Sequence, residues 1–162
     1  MFETAHTPAV PDAPLRRHKP IRIRVQPTPE AVHVARRTFA KAVREAQLPL
    51  SSSRLADAVL CAAEVLANAE RHTQRLCELT AYWTGSHLHV EVADSSPEVP
   101  EKLVPAPSSR SGRGLLMVHV YADRWGIRPP VSAKDGWTKA VWFEIGPEAP
   151  PEPLPGQVGG AC

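Results

Sequence analysis

A stripe of polar residues runs through an otherwise apolar helical segment of this sequence. Glu64, Asn68 and His72 follow one another at intervals of four residues, so on a helix they lie close to one stripe of its surface. A glutamate carboxylate can polarise a nucleophile, and the side-chain carbonyl of Asn68 is a hard oxygen ligand suited to Mg²⁺. A solvated helix edge carries the same residue types, so the stripe alone is weak evidence for a site.

Asp94 directly follows a strand-like segment, 87–93, in which apolar and polar residues alternate. A carboxylate at the end of a strand can accept a hydrogen bond from the amino group of a ligand. An aspartate that simply initiates a turn is common at such a place and is the alternative interpretation.

A glycine-containing segment, S-G-R-G-L-L-M-V, lies between a Pro-rich loop and an apolar helical segment. Gly112 and Gly114 allow the backbone to approach a ligand closely, and the N-terminus of the following helix presents free N–H groups to an anion. Arg113 adds positive charge at the same place. The alternative is a junction in which the glycines only ease the passage from loop to helix.

The segments that must position these groups follow two periodicities, three to four residues for helices and two for strands. In chain order the sequence predicts strand 21–25, helices 30–46 and 52–73, strands 76–84 and 87–93, helix 112–122, and strands 125–128 and 139–145. The turn signal Thr84-Gly85-Ser86 predicts a hairpin. This order predicts an α+β fold: a two-layer α/β sandwich with a mostly antiparallel mixed sheet and helices on one face.

Composition bounds the organisation of the chain. Its 162 residues fit one domain, and its 18 prolines are concentrated near both ends and in the loop 95–111. We expect a flexible leader over 1–19, an ordered domain over 20–146 and a disordered Pro/Gly-rich tail over 147–162.

Charge and cysteine content restrict the class of protein. The net charge of +2 is too small to indicate nucleic acid or an anionic membrane as the main partner. Three cysteines without metal-ligand spacing indicate free thiols, and no segment approaches the ~18 consecutive apolar residues of a membrane span. The N-terminal sequence lacks the pattern of a secretory signal, so we expect a cytoplasmic protein.

The motifs taken together resemble one superfamily. Their order along the chain resembles that of GHKL ATPases with the Bergerat nucleotide-binding fold. The motifs are, in order, E-x-x-x-N-A-x-x-H, a hairpin leading to Asp94, a Pro-rich loop, G-x-G-L-x-x-V, A-D-R-W-G and a final V-W-F-E strand. Within the superfamily the chain is most similar to the short anti-sigma-factor serine/threonine kinases of actinomycetes. The resemblance covers residues 20–146.

The resemblance implies roles for individual residues. Glu64 corresponds to the presumed general base, Asn68 to the ligand of a phosphate-bridging Mg²⁺, and Asp94 to the residue that binds the adenine amino group. The lid that closes over the phosphates corresponds to Gly112, Arg113, Gly114 and Leu115. The implied cofactors are therefore ATP and Mg²⁺.

The implied function is an ATP-dependent regulator that phosphorylates a serine or threonine of an anti-anti-sigma-like partner and sequesters a sigma factor. Family members are often dimeric, which suggests a homodimer. A non-catalytic interaction module with the same fold is the alternative. It is favoured by Ser96, where many relatives have glycine, and by Ala140, where related short kinases commonly have threonine.

Overall fold

The computed structural model describes residues 18–96, 113–130 and 136–147. Its elements are β1 (Ile21–Val25), α1 (Pro29–Glu45), α2 (Ser52–His72), β2 (Cys77–Trp83), β3 (Leu88–Asp94), α3 (Arg113–Tyr121), β4 (Arg124–Arg128) and β5 (Lys139–Ile145). Each predicted element is present, with bounds that differ by at most one residue at either end. The predicted leader and tail, apart from residues 18, 19 and 147, lie outside the described residues, as do Gly112 and most of the loop 95–111.

The five strands form one sheet in the order β1-β2-β3-β5-β4. Every neighbouring pair is antiparallel, so the predicted, mostly antiparallel sheet is confirmed, and no parallel pair occurs among the described strands. The predicted hairpin joins β2 to β3. Gly85 has a φ of 105° in its turn, a left-handed conformation that glycine adopts without a steric penalty.

The three helices pack against one face of the sheet, as the two-layer prediction requires. Alternate strand residues point to this face and are fully buried there, among them Leu79, Val90 and Phe143. Phe39 of α1 and Leu66 of α2 are buried in the same core. Among the described residues, no helix is long and apolar enough to cross a bilayer.

The helices begin where capping residues precede them. The Thr28 hydroxyl accepts a hydrogen bond from the Ala31 N–H, and Pro29 occupies the first position of α1. The Ser51 hydroxyl caps α2 by accepting from the Arg54 N–H. The Ser51 cap therefore sets the start of α2, the helix that carries the polar stripe.

Arg54 connects α2 to the C-terminal ends of α3 and β5 although it is only 2% exposed. Its guanidinium donates to the Gly146 carbonyl (3.0 Å), the Tyr121 carbonyl (3.1 Å) and the Asp123 carboxylate (2.7 Å). Asp123 in turn accepts a 2.6 Å hydrogen bond from the Gly146 N–H. One buried cation therefore joins three elements that are far apart in sequence.

The face of the sheet away from the helices carries a polar and aromatic cluster. The His89 ring stacks between Tyr82 and Trp142, with centroid separations of 4.8 and 5.7 Å. It also contacts Glu144 through Nδ1 at 3.0 Å, while Glu91 is held by Arg128. His89 is consequently only 4% exposed, although it lies on the face that the helices leave open.

This cluster predicts a dependence of stability on pH. Burial alone would lower the pKa of His89, but the hydrogen bond to Glu144 and the Glu91 carboxylate, 3.8 Å from Nε2, outweigh it and raise the pKa above 6.5. The stabilisation from protonated His89 is therefore complete below about pH 6.5 and is lost as the pH rises through its folded-state pKa. Burial would raise the pKa values of Glu91 and Glu144, yet both pKa values are lowered. The stabilisation from these two carboxylates is therefore lost only as the pH falls below about 4.5.

We expect the urea midpoint to decline above about pH 6.5, and His89→Gln to flatten this alkaline decline. His33→Gln, which changes an exposed histidine of α1, is the matched control and should leave the profile unchanged. If the alkaline decline persists undiminished in His89→Gln, another titratable group causes it.

Candidate functional site

Asn68 is a buried polar residue on α2, only 7% exposed. No hydrogen bond to its side-chain amide is found within the described part of the chain, whereas buried amides are normally paired. Glu64 lies one turn earlier and is partly buried, and His72 lies one turn later at the exposed end of the helix. The stripe thus extends about 12 Å along the helix axis and includes an amide that can still accept a ligand.

Asp94 is 2% exposed at the last position of β3. Its Oδ1 accepts a 2.9 Å hydrogen bond from the Ser96 N–H and lies 3.6 Å from Lys139 Nζ. Burial raises the pKa of Asp94, while the Ser96 N–H, Lys139 and the charge of His72 oppose that rise. The second oxygen, Oδ2, has no hydrogen-bond partner among the described residues and can accept from a ligand.

A cleft of about 580 Å³ lies between the end of α2 and the end of β3. Its size falls within the range of small-molecule sites. It is lined by His72, Thr73, Gln74, Arg75, Ser95 and Ser96. The Ser95 hydroxyl is buried and lacks a hydrogen-bond partner within the described residues, as expected of a group that binds a ligand.

The cleft lies between the end of the α2 stripe and the strand end that carries Asp94. His72 lines the cleft and acts electrostatically on Asp94, and Asn68 precedes His72 by one helical turn. Ser95, which follows Asp94, lines the same cleft. The α2 stripe and the end of β3 therefore approach one another there, with Glu64 one turn farther along α2.

The structure describes three of the four predicted lid residues. Gly112 lies outside the described residues, whereas Arg113 and Gly114 form the first turn of α3. The Leu115 side chain is buried in the core with Val118, so a ligand at this helix end would meet backbone N–H groups and not the leucine side chain.

Lys139 was not identified as a site residue from the sequence, yet it faces Asp94 directly across β3 and β5. The neighbouring Thr138 donates its hydroxyl proton to the Ser96 carbonyl at 2.7 Å. The signal in the sequence was a lysine followed by alanine and a run of strand-forming residues. That pattern does not reveal which residue lies opposite in the sheet.

A magnesium ion at this cleft would have to use ligands supplied by the nucleotide. No group of three or more His, Cys, Asp or Glu residues that could hold a metal occurs in the described residues. Mg²⁺ typically takes one or two protein oxygens and completes its shell with phosphate and water. The unpaired amide of Asn68 fits this requirement.

Comparison with known protein families identifies the domain. The family model described as the histidine kinase-like ATPase domain matches residues 19–140, which include every described element up to the start of β5. No curated protein matches the chain.

Proposed function

The chain belongs to the histidine kinase-like ATPase domain family, and we propose that it transfers the γ-phosphate of Mg·ATP to a serine or threonine of a partner protein. Binding of ATP follows from the family. The observation that carries the finer proposal is a set of polar groups near one cleft that have no hydrogen-bond partner among the described residues: the buried Ser95 hydroxyl, the Asn68 amide and Asp94 Oδ2.

The proposed site residues have distinct tasks in the reaction. Asp94 accepts a hydrogen bond from the adenine amino group. Asn68 supplies an oxygen ligand for Mg²⁺ on the phosphate side of the nucleotide. The backbone N–H groups at the start of α3 hold phosphate oxygens, with Gly112, Arg113 and Gly114 at the junction. Bound Mg²⁺ would neutralise charge that develops on the transferred group.

Glu64 is the proposed general base. The acceptor hydroxyl gives its proton to the Glu64 carboxylate while its oxygen bonds to the γ-phosphorus. The bond from that phosphorus to the β–γ bridging oxygen breaks, and ADP leaves with the electron pair. Positioning and charge neutralisation supply most of the catalysis in such transfers.

The proposed partners are an anti-anti-sigma-like protein, which carries the acceptor hydroxyl, and a sigma factor that is sequestered in one state. Such a switch requires that nucleotide or phosphorylation changes the affinities for the two partners differently. We further propose a cytoplasmic homodimer whose functional domain spans residues 20–146.

A non-catalytic interaction module is the second candidate, and two departures from the family pattern favour it. In the fold, however, Ser96 has an ordinary negative φ and donates its N–H to Asp94, so this position does not require glycine. Ala140 pairs with Ala93 on the sheet face away from the Asp94 side chain. These placements weaken the case for a degenerate site.

We expect Asn68→Ala to weaken Mg²⁺-dependent ATP binding by about tenfold to a hundredfold, because it removes the protein oxygen ligand proposed for Mg²⁺. Titration calorimetry with and without Mg²⁺ measures the effect. Gln26→Ala, which changes an exposed amide outside the cleft, is the control and should bind as the wild-type protein does. Failure of the wild-type protein to bind Mg·ATP at millimolar nucleotide would contradict the proposed function, and binding without transfer to any protein would favour the interaction module.

A further inference from the structure

A buried ion pair occupies the helix-facing side of the sheet at the edge of the cleft. Asp94 and Lys139 lie directly opposite each other in the β3–β5 register, with Nζ 3.6 Å from Oδ1, and Lys139 is only 5% exposed. The preceding pair on this face, Val92 and Val141, is apolar. A buried ion pair is weak evidence for stability, because apolar residues of similar volume often stabilise a core equally well.

The described contacts of the Asp94 carboxylate involve only one of its two oxygens. Asp94 Oδ1 receives the Ser96 N–H and faces the Lys139 ammonium, so the described contacts converge on one oxygen. The other oxygen, Oδ2, is left to accept a hydrogen bond from elsewhere. The contacts of Asp94 therefore select which oxygen a ligand meets.

We propose that Lys139 is a positioning residue for base recognition: it holds Asp94 as a carboxylate and keeps Oδ2 available for the amino group of adenine. This inference rests on the proposed function, since it concerns the nucleotide in the same cleft. It assigns to Lys139 the discrimination between bases that carry an amino group and bases that carry a carbonyl at the same place.

The charged and titratable groups around Asp94 support this role. Lys139 faces it from β5, His72 acts on it from α2, and Cys77 of β2 lies within its field. Burial, followed by the charge of Asp94, raises the pKa of the Cys77 thiol to about 11, so that thiol is neutral near pH 7. Burial also raises the pKa of Asp94, and Lys139 is the buried cation that opposes this shift.

The consequence is a preference of the site for ATP over ITP. An ionised carboxylate only accepts hydrogen bonds, so it pairs with the amino group of ATP and repels the carbonyl oxygen at the same position in ITP. Without Lys139, Asp94 would become protonated at a higher pH. A protonated carboxyl can donate to the ITP carbonyl, so the preference for ATP would decrease.

The test measures the dissociation constants of ATP and ITP by calorimetry between about pH 6 and about pH 8. We expect the wild-type protein to prefer ATP by a factor that is constant over this range. Lys139→Met should bind ATP about tenfold more weakly, with a preference over ITP that shrinks as the pH falls. Lys139→Arg should keep a constant preference, and Lys41→Met, which changes an exposed lysine of α1, should match the wild-type protein.

The outcomes separate the two proposals. If the wild-type protein binds no ATP, the proposed function is wrong. If it binds ATP and Lys139→Met retains the wild-type affinity and preference, the role of Lys139 is wrong and the proposed function stands. If Lys139→Met does not fold, the wild-type profile decides, because a preference for ATP that itself declines between about pH 8 and about pH 6 would show that Asp94 is not held ionised.

Discussion

Replacing Arg54 by methionine is expected to lower the free energy of unfolding by about 3–5 kcal/mol. The substitution keeps an apolar side chain of similar length but removes the guanidinium from a site that is almost wholly buried. The Asp123 carboxylate and the carbonyls of Gly146 and Tyr121 then lose a donor that water cannot readily replace. Urea denaturation monitored by circular dichroism measures the change.

Two further variants make the Arg54 experiment specific. Arg37→Met on the exposed side of α1 should change stability by less than about 0.5 kcal/mol. The double variant Arg54→Met/Asp123→Leu should recover part of the loss, because it removes one of the two partly buried carboxylates, Asp57 and Asp123, that the single variant leaves without the guanidinium. A loss below about 1 kcal/mol in Arg54→Met would mean that water replaces the guanidinium.

The arrangement of elements could be predicted because its signals are local. Thr28-Pro29 and Ser51 mark helix starts through caps that the structure contains, and the alternation along β3 gives its two faces. Gly85 marks a hairpin because few other residues adopt its backbone conformation. In each case the physical cause lies within a few residues of the signal.

The residues that sequence reasoning missed have partners that are distant in the chain. A lysine at position 139 carries no local indication that it will face Asp94, because that contact depends on the register between β3 and β5. An arginine near a helix start is usually exposed, and Arg54 is buried only because α3 and β5 end beside it. His89 looks like a solvent-facing strand residue until Tyr82 and Trp142 are placed on either side.

For the candidate site, the sequence could predict the residue types and their order, but not whether the side chains are buried or paired. It pointed to Asn68 and Asp94, yet only the fold shows that both are buried and that each retains an atom without a described partner. Neither atom has to give up a contact with a described residue before it binds a ligand. The distinction between a solvated helix edge and a binding site is therefore a distinction of burial, which local patterns do not determine.

Glu64→Gln is expected to lower phosphate transfer about 10²- to 10⁴-fold while it leaves the affinity for Mg·ATP within about twofold. A glutamine keeps the shape of the side chain but cannot take the proton of the acceptor hydroxyl. Its effect should therefore fall on the transfer step and not on nucleotide binding, in contrast to the effect of Asn68→Ala. Calorimetry gives the affinity, and radiolabelled ATP incubated with a lysate gives the transfer.

The matched control is Glu70→Gln, because Glu70 lies on the same helix with a comparable partial burial but outside the stripe of Glu64 and Asn68. It should retain both binding and transfer. Equal transfer by wild-type protein and Glu64→Gln would exclude Glu64 as the base and leave Asn68 and Asp94 as a nucleotide site without it. Weakened ATP binding in Glu64→Gln would instead place this carboxylate among the groups that hold the nucleotide, since a base acts only on the acceptor hydroxyl.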